Sequence, residues 1–92
     1  TATLTESFLA LENSWSCEKK LGDINIFTRT GAVVIAVVRK NKTQPNPGSE
    51  YIVLAGDILI LVGSHVQLDQ SLKVLQYGYG DEDEKITQKK SS

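Results

Sequence analysis

Apolar residues fall in separated blocks along the chain, and the spacing within each block indicates an element. Ala32–Val38 is a run of seven apolar residues dominated by Val and Ile, the pattern of a strand covered on both faces. By simple alternation its faces are Ala32, Val34, Ala36 and Val38 against Val33, Ile35, Val37 and Arg39. Asp57–Val62 predicts a second strong strand, with Ile58, Ile60 and Val62 on one side and Leu59 and Leu61 on the other. Shorter strands are expected at Phe8-Leu9-Ala10-Leu11 and Tyr51–Leu54. Cys17, Leu21 and Ile24 lie at i, i+4, i+7, which predicts a short helix over 17–24 capped by Ser14 or Ser16. Leu68, Leu72 and Leu75 repeat that spacing in a second helix, which opens on a Ser64…Gln67 capping box and ends near Tyr77, before Gly78.

Polar punctuation fills the gaps. Thr28-Arg29-Thr30-Gly31 precedes the long strand, and Arg39-Lys40-Asn41-Lys42 ends it. Gln44-Pro45-Asn46-Pro47-Gly48-Ser49 reads as a loop, because each proline removes a donor and biases its predecessor to extended geometry. In Ala55-Gly56-Asp57, Gly56 supplies positive φ and Asp57 accepts backbone N–H bonds. The fold class is α+β: a small sheet of four to five strands with two short helices. Residues 1–77 form one domain. Residues 78–92 hold two glycines, the block Asp81-Glu82-Asp83-Glu84 and three lysines, and are expected to be a disordered acidic/basic tail.

Composition narrows the function. The 92 residues carry 10 bases and 11 acids, a net charge of −1, and this balance argues against a nucleic-acid partner. No apolar run approaches the roughly twenty residues of a membrane helix, so direct membrane insertion is not expected. One cysteine, Cys17, precludes an intrachain disulfide, and a single histidine, His65, precludes a multi-histidine metal site. Cys17 is expected to be a buried structural thiol and the compartment to be reducing and cytosolic. The chain opens on Thr1 and contains no Met, which fits either an initiator Met trimmed before a small residue or a piece cut from a longer polypeptide.

Catalysis finds no support in the residue inventory. His65 is adjacent to Ser64 in the first turn of a helix, where capping explains the pair better than a triad. Gly56 and Gly63 are isolated turn glycines with no phosphate-cradling loop around them. The chain is therefore expected not to be an enzyme. The two strongly apolar strands are informative instead, because two short helices are too little material to cover both faces of a sheet. A second copy of the chain would cover the remainder, and a homodimer is expected over the alternative of a monomer with its helices on opposite faces of the sheet. Arg39, leaving an apolar strand near the Asn46-Pro47 loop, suits an anionic ligand. Its position at a strand end also suggests that folding tolerates its removal.

Three stretches taken in order resemble a known family. Thr30-Gly31 through the apolar strand to Arg39, then Asn46-Pro47, then Leu54-Ala55-Gly56-Asp57-Ile58-Leu59-Ile60-Leu61-Val62-Gly63, is similar to the TrkA-C (RCK_C) domain over roughly residues 5–77. Lys40 departs from the family's frequent Gly, and the 40–45 loop is slightly longer. The resemblance implies a cytoplasmic, dimerising, ligand-sensing regulatory domain of a potassium channel, potassium transporter or cation/proton antiporter. Its partner would be the membrane-embedded part of the same polypeptide or complex. No cofactor is implied within this domain. Some members bind cyclic di-AMP across the dimer interface, and by motif match Arg39, Asn46, Pro47 and Val34 become the ligand-binding residues. The alternative is a purely structural dimerisation module without a ligand.

Overall fold

A computed structural model describes residues 3–80. The long apolar run forms β2 (Val33–Arg39), and a two-residue turn returns it as β3 (Lys42–Pro45). The Asp57–Val62 block becomes β4 (Ile58–Gly63), and β1 (Leu4–Leu9) pairs with its far side. The result is one antiparallel four-stranded sheet in the order β1-β4-β2-β3. The helices are α1 (Leu21–Ile24), α2 (Ile26–Thr30) and α3 (His65–Tyr77). The α+β architecture expected from the sequence is the one observed.

One face of the sheet carries the core. Phe8, Leu59, Leu61 and Val37 meet Ile24 and Ile26 from the short helices and Leu68, Val74 and Leu75 from α3. At α3 the capping box is complete: the Gln67 amide donates to Ser64 Oγ (3.2 Å) and the Ser64 amide to Gln67 Oε1 (2.9 Å). Gly78 ends the helix at φ 86°, a left-handed position that glycine occupies without steric cost.

The simple alternation read for β2 fails at a β-bulge. The register with β4 shifts between Val34 and Ala36, so Ile35 is an extra residue and the side-chain phase flips after it. Ala32, Val34, Val37 and Arg39 therefore share the core side, with Val34 opposite Leu61 and Val37 opposite Leu59. The other face presents Val33, Ala36 and Val38 beside Ile58, Ile60 and Val62, with Leu9 from β1. Val33, Leu9 and Ile58 are exposed there, and no described element covers them. The expectation that this strand is buried on both sides holds for one side only.

Four boundaries differ from the sequence reading, each for a local reason. The first strand spans Leu4–Leu9 rather than starting at Phe8, because pairing with β4 outweighs the polar residues at its start. The helix expected over 17–24 begins only at Leu21, after Glu18 at φ 68° and an extended Lys20, and Asn25 at φ 58° separates it from α2. Tyr51–Leu54 joins no sheet strand. Its backbone bonds the 18–21 segment instead, through Glu18 N–H to Val53 O (2.6 Å), Val53 N–H to Lys19 O (3.0 Å) and Leu21 N–H to Tyr51 O (2.9 Å). Gln44 and Pro45 belong to β3 rather than to the loop, since an edge strand tolerates a proline that cannot donate. Cys17 is half-buried rather than buried. Gly78–Gly80 lie within the described part, whereas the rest of the expected tail, 81–92, lies outside it.

Candidate functional site

The strand-end arginine is already engaged. Arg39 donates from Nε to Asp57 Oδ1 (2.8 Å) and from Nη2 to Asp57 Oδ2 (2.6 Å), a bidentate fork. Nη2 also reaches the Ile52 carbonyl (2.8 Å), and the guanidinium lies 4.8 Å from the centre of the Tyr51 ring. Asp57 is 1% exposed and also accepts from the Leu54 amide (2.8 Å). Burial pushes the Asp57 carboxyl upward, but the Arg39 fork, the Leu54 amide and the Arg39 charge together hold it below the ordinary carboxylate value. The bond to Asp57 raises Arg39 further, with its charge secure at any working pH.

The turn role read for Asp57 is thus present, through Leu54. The partnership with Arg39 was not legible, because the two residues are eighteen apart and the bulge decides which way Arg39 points. It also makes Arg39 a contributor to stability, since its removal strands a buried carboxylate.

Val34 and Pro47 come together elsewhere. They line a cleft of about 170 Å³ whose other walls include Leu21, Gly22 and Phe27. Phe27 is 67% exposed at this cleft, an aromatic face that the sequence reading did not single out. Its only signal was a large apolar residue outside the helical stripe. Asn46 sits beside Pro47 in the left-handed region at φ 47°, a conformation asparagine tolerates better than most residues. Its amide donates to the Ile35 carbonyl (2.8 Å), so the bulge anchors the Asn46-Pro47 loop over the start of β2. Arg39 does not line this cleft. It lies five positions further along the strand than Val34, about 16 Å at roughly 3.3 Å per residue.

The remaining titratable candidates have structural roles. Ser64 caps α3, and His65 makes an exposed i,i+4 contact with Asp69 (3.3 Å). No cluster of three metal-ligating side chains occurs among the described residues, and no helix there is long and apolar enough to cross a membrane.

A helix-backed antiparallel sheet, a bulged central strand ending in arginine and a Gly-Asp turn that receives it give the RCK_C type of architecture. The chain belongs to the TrkA-C domain family, whose model matches residues 6–76. This is a family of regulatory rather than catalytic domains. A search of the curated proteins finds no match.

Solved structures share the fold. The RCK C domain of the potassium transport protein KtrA, in complex with cyclic di-AMP, superposes with a TM-score of 0.70 at 24% identity, covering 77% of this chain and 81% of that one. The RCK_C domain dimer of S. agalactiae BusR, also with cyclic di-AMP, gives 0.67 at 24% identity, covering 77% and 92%. The GsuK channel bound to NAD gives 0.71 at 22% identity, covering 86% of this chain but 14% of the channel chain. The chain spans 34% of the longer BusR chain, which was solved in complex with promoter DNA. That DNA complex leaves the charge-based expectation of no nucleic-acid partner without confirmation for proteins carrying this domain.

Proposed function

We propose that the chain is a cytoplasmic, dimerising, ligand-sensing domain that regulates a potassium channel, potassium transporter or cation/proton antiporter. The observation that carries this reading is the apolar cleft between Val34 and Pro47, opening where β2 borders the uncovered face of the sheet. That face places Val33, Ile58 and Leu9 in water. A second copy packed against it removes this apolar surface from solvent.

The division of the four candidate residues fits a ligand shared by two copies. Val34 and Pro47 offer an apolar floor and wall for a flat base, Phe27 an aromatic surface, and Asn46 a donor and acceptor for a base edge. Arg39, about 16 Å along the same strand at roughly 3.3 Å per residue, meets the ligand's phosphate from the other copy. Cyclic di-AMP has the required parts, two flat bases joined through two phosphates. A ligand that binds one arrangement of the pair better than another shifts that equilibrium and so biases an attached gate.

Thermal unfolding with cyclic di-AMP tests the reading. A ligand that binds only the folded state raises Tm as its concentration rises. An unchanged Tm at saturating concentrations refutes ligand sensing for this nucleotide and leaves a purely structural dimerisation module.

A further inference from the structure

A second, basic groove lies at the far end of β2. The hairpin turn consists of Lys40 and Asn41, both left-handed at φ 50° and 66°, as a two-residue turn between twisted strands requires. This turn sets Lys42 directly opposite Arg39 in the ladder. Like charges in that relation repel, with β-carbons about 5 Å apart. Asp57 neutralises Arg39 from behind. Lys40 and Lys42 have no such compensation: neither side chain makes a hydrogen bond or ion pair among the described residues. The two lysines, Arg39, Thr43, Gln44 and Tyr51 line an open groove of about 470 Å³ that no carboxylate enters. Asp57 occupies Arg39 Nε and Nη2, so Nη1 is the guanidinium nitrogen left for a further acceptor.

We infer that this groove binds a phosphate or diphosphate group, through Lys40 and Lys42 with the Nη1 edge of Arg39. The charge count selects the ligand class. With Arg39 matched by Asp57, two positive charges remain, which a doubly charged oxyanion neutralises. A phosphate-type oxyanion also brings enough acceptors to satisfy two ammonium groups and a guanidinium edge at once. The site shares Arg39 with the phosphate contact of the proposed cyclic dinucleotide site but lies apart from the apolar cleft, and it requires no base and no second copy. Both lysines are exposed, so binding weakens as salt rises.

Amide NMR of the whole chain, titrated with inorganic pyrophosphate at fixed ionic strength, tests the inference. Saturable shifts are expected at residues 39–44 and 51, with residues around Val34 and Pro47 unmoved. Lys40→Gln/Lys42→Gln is expected to weaken that binding at least about tenfold. The double variant keeps Val34, Arg39, Asn46 and Pro47, and amide shifts around Val34 and Pro47 in a parallel titration with cyclic di-AMP report the apolar cleft, so failure of that reading is distinguishable from failure of this one. ADP run beside pyrophosphate distinguishes a site that reads the phosphate alone, with equal affinities, from one that also seats a base on Tyr51, with tighter ADP binding. Absence of saturable pyrophosphate shifts at 39–44, or equal affinity in the double variant, overturns the inference.

Discussion

Replacing Arg39 by alanine separates what this side chain does for the fold from what it does for a ligand. The substitution leaves the Asp57 carboxylate, 1% exposed, with the Leu54 amide as its remaining side-chain hydrogen bond. Removing one partner of a buried ion pair costs about 3–5 kcal/mol. The Arg39 side chain is itself 35% exposed, so water reaches one side of the pair and screening reduces the cost to about 2–3 kcal/mol. For a domain of this size each kcal/mol lowers Tm by about 4–8 °C, so a fall of roughly 10–20 °C is expected. Urea unfolding followed by circular dichroism measures the free energy directly. Arg39→Ala combined with Asp57→Asn no longer buries an unpaired charge, and is expected to recover at least about 1 kcal/mol over Arg39→Ala alone. An Arg39→Ala loss below about 0.5 kcal/mol, or a double variant no more stable than that single one, refutes this reasoning. Ligand titrations of Arg39→Ala are accordingly to be read beside its unfolding curve.

Asp57 titrates lower folded than unfolded, so its contribution to stability is complete above about pH 4, the unfolded carboxyl value, and is lost as pH falls through the folded value. Acid unfolding of Asp57→Asn is expected to be shallower than that of the parent, and identical pH profiles contradict the assignment. Gly78→Ala forces a side chain into φ 86° and places its Cβ 2.7 Å from the Trp15 ring. A loss of about 2 kcal/mol or more is expected in urea unfolding, the left-handed backbone alone accounting for about 1–2. Phe27→Ala removes a mostly exposed ring, so it is expected to leave Tm unchanged while weakening cyclic di-AMP binding by about 1–3 kcal/mol, the scale of one stacked base. Unchanged affinity in calorimetry removes Phe27 from the site.

The elements with strong periodicity were legible from residue order. β4, the α3 stripe and the Ser64…Gln67 capping box arise from contacts within a few residues or from a continuous apolar run. The misplaced elements depended on partners distant in sequence. Tyr51–Leu54 has strand-like composition, yet its ladder-like backbone bonds go to residues 18–21, which nothing local announces. The bulge at Ile35 is invisible in a uniform run of Val, Ile and Ala, although it determines that Arg39 faces Asp57 and that the lower edge of β2 meets the Asn46-Pro47 loop. The motif singled out Val34, Arg39, Asn46 and Pro47 without indicating that they fall into separate clefts within one chain. Phe27 and the two uncompensated lysines became recognisable as site residues only once their surroundings were in place.

Calorimetric titration of the chain with cyclic di-AMP tests the proposed function most directly, because the arrangement of the four residues constrains the stoichiometry as well as the affinity. One cyclic di-AMP on the dimer axis, with each base on Val34 and Pro47 of one copy and each phosphate at Arg39 of the other, occupies both halves and requires one ligand for every two chains, with sedimentation showing a dimer in the bound state. Saturation at one ligand per chain on a monomer, or no heat of binding at all, contradicts the account.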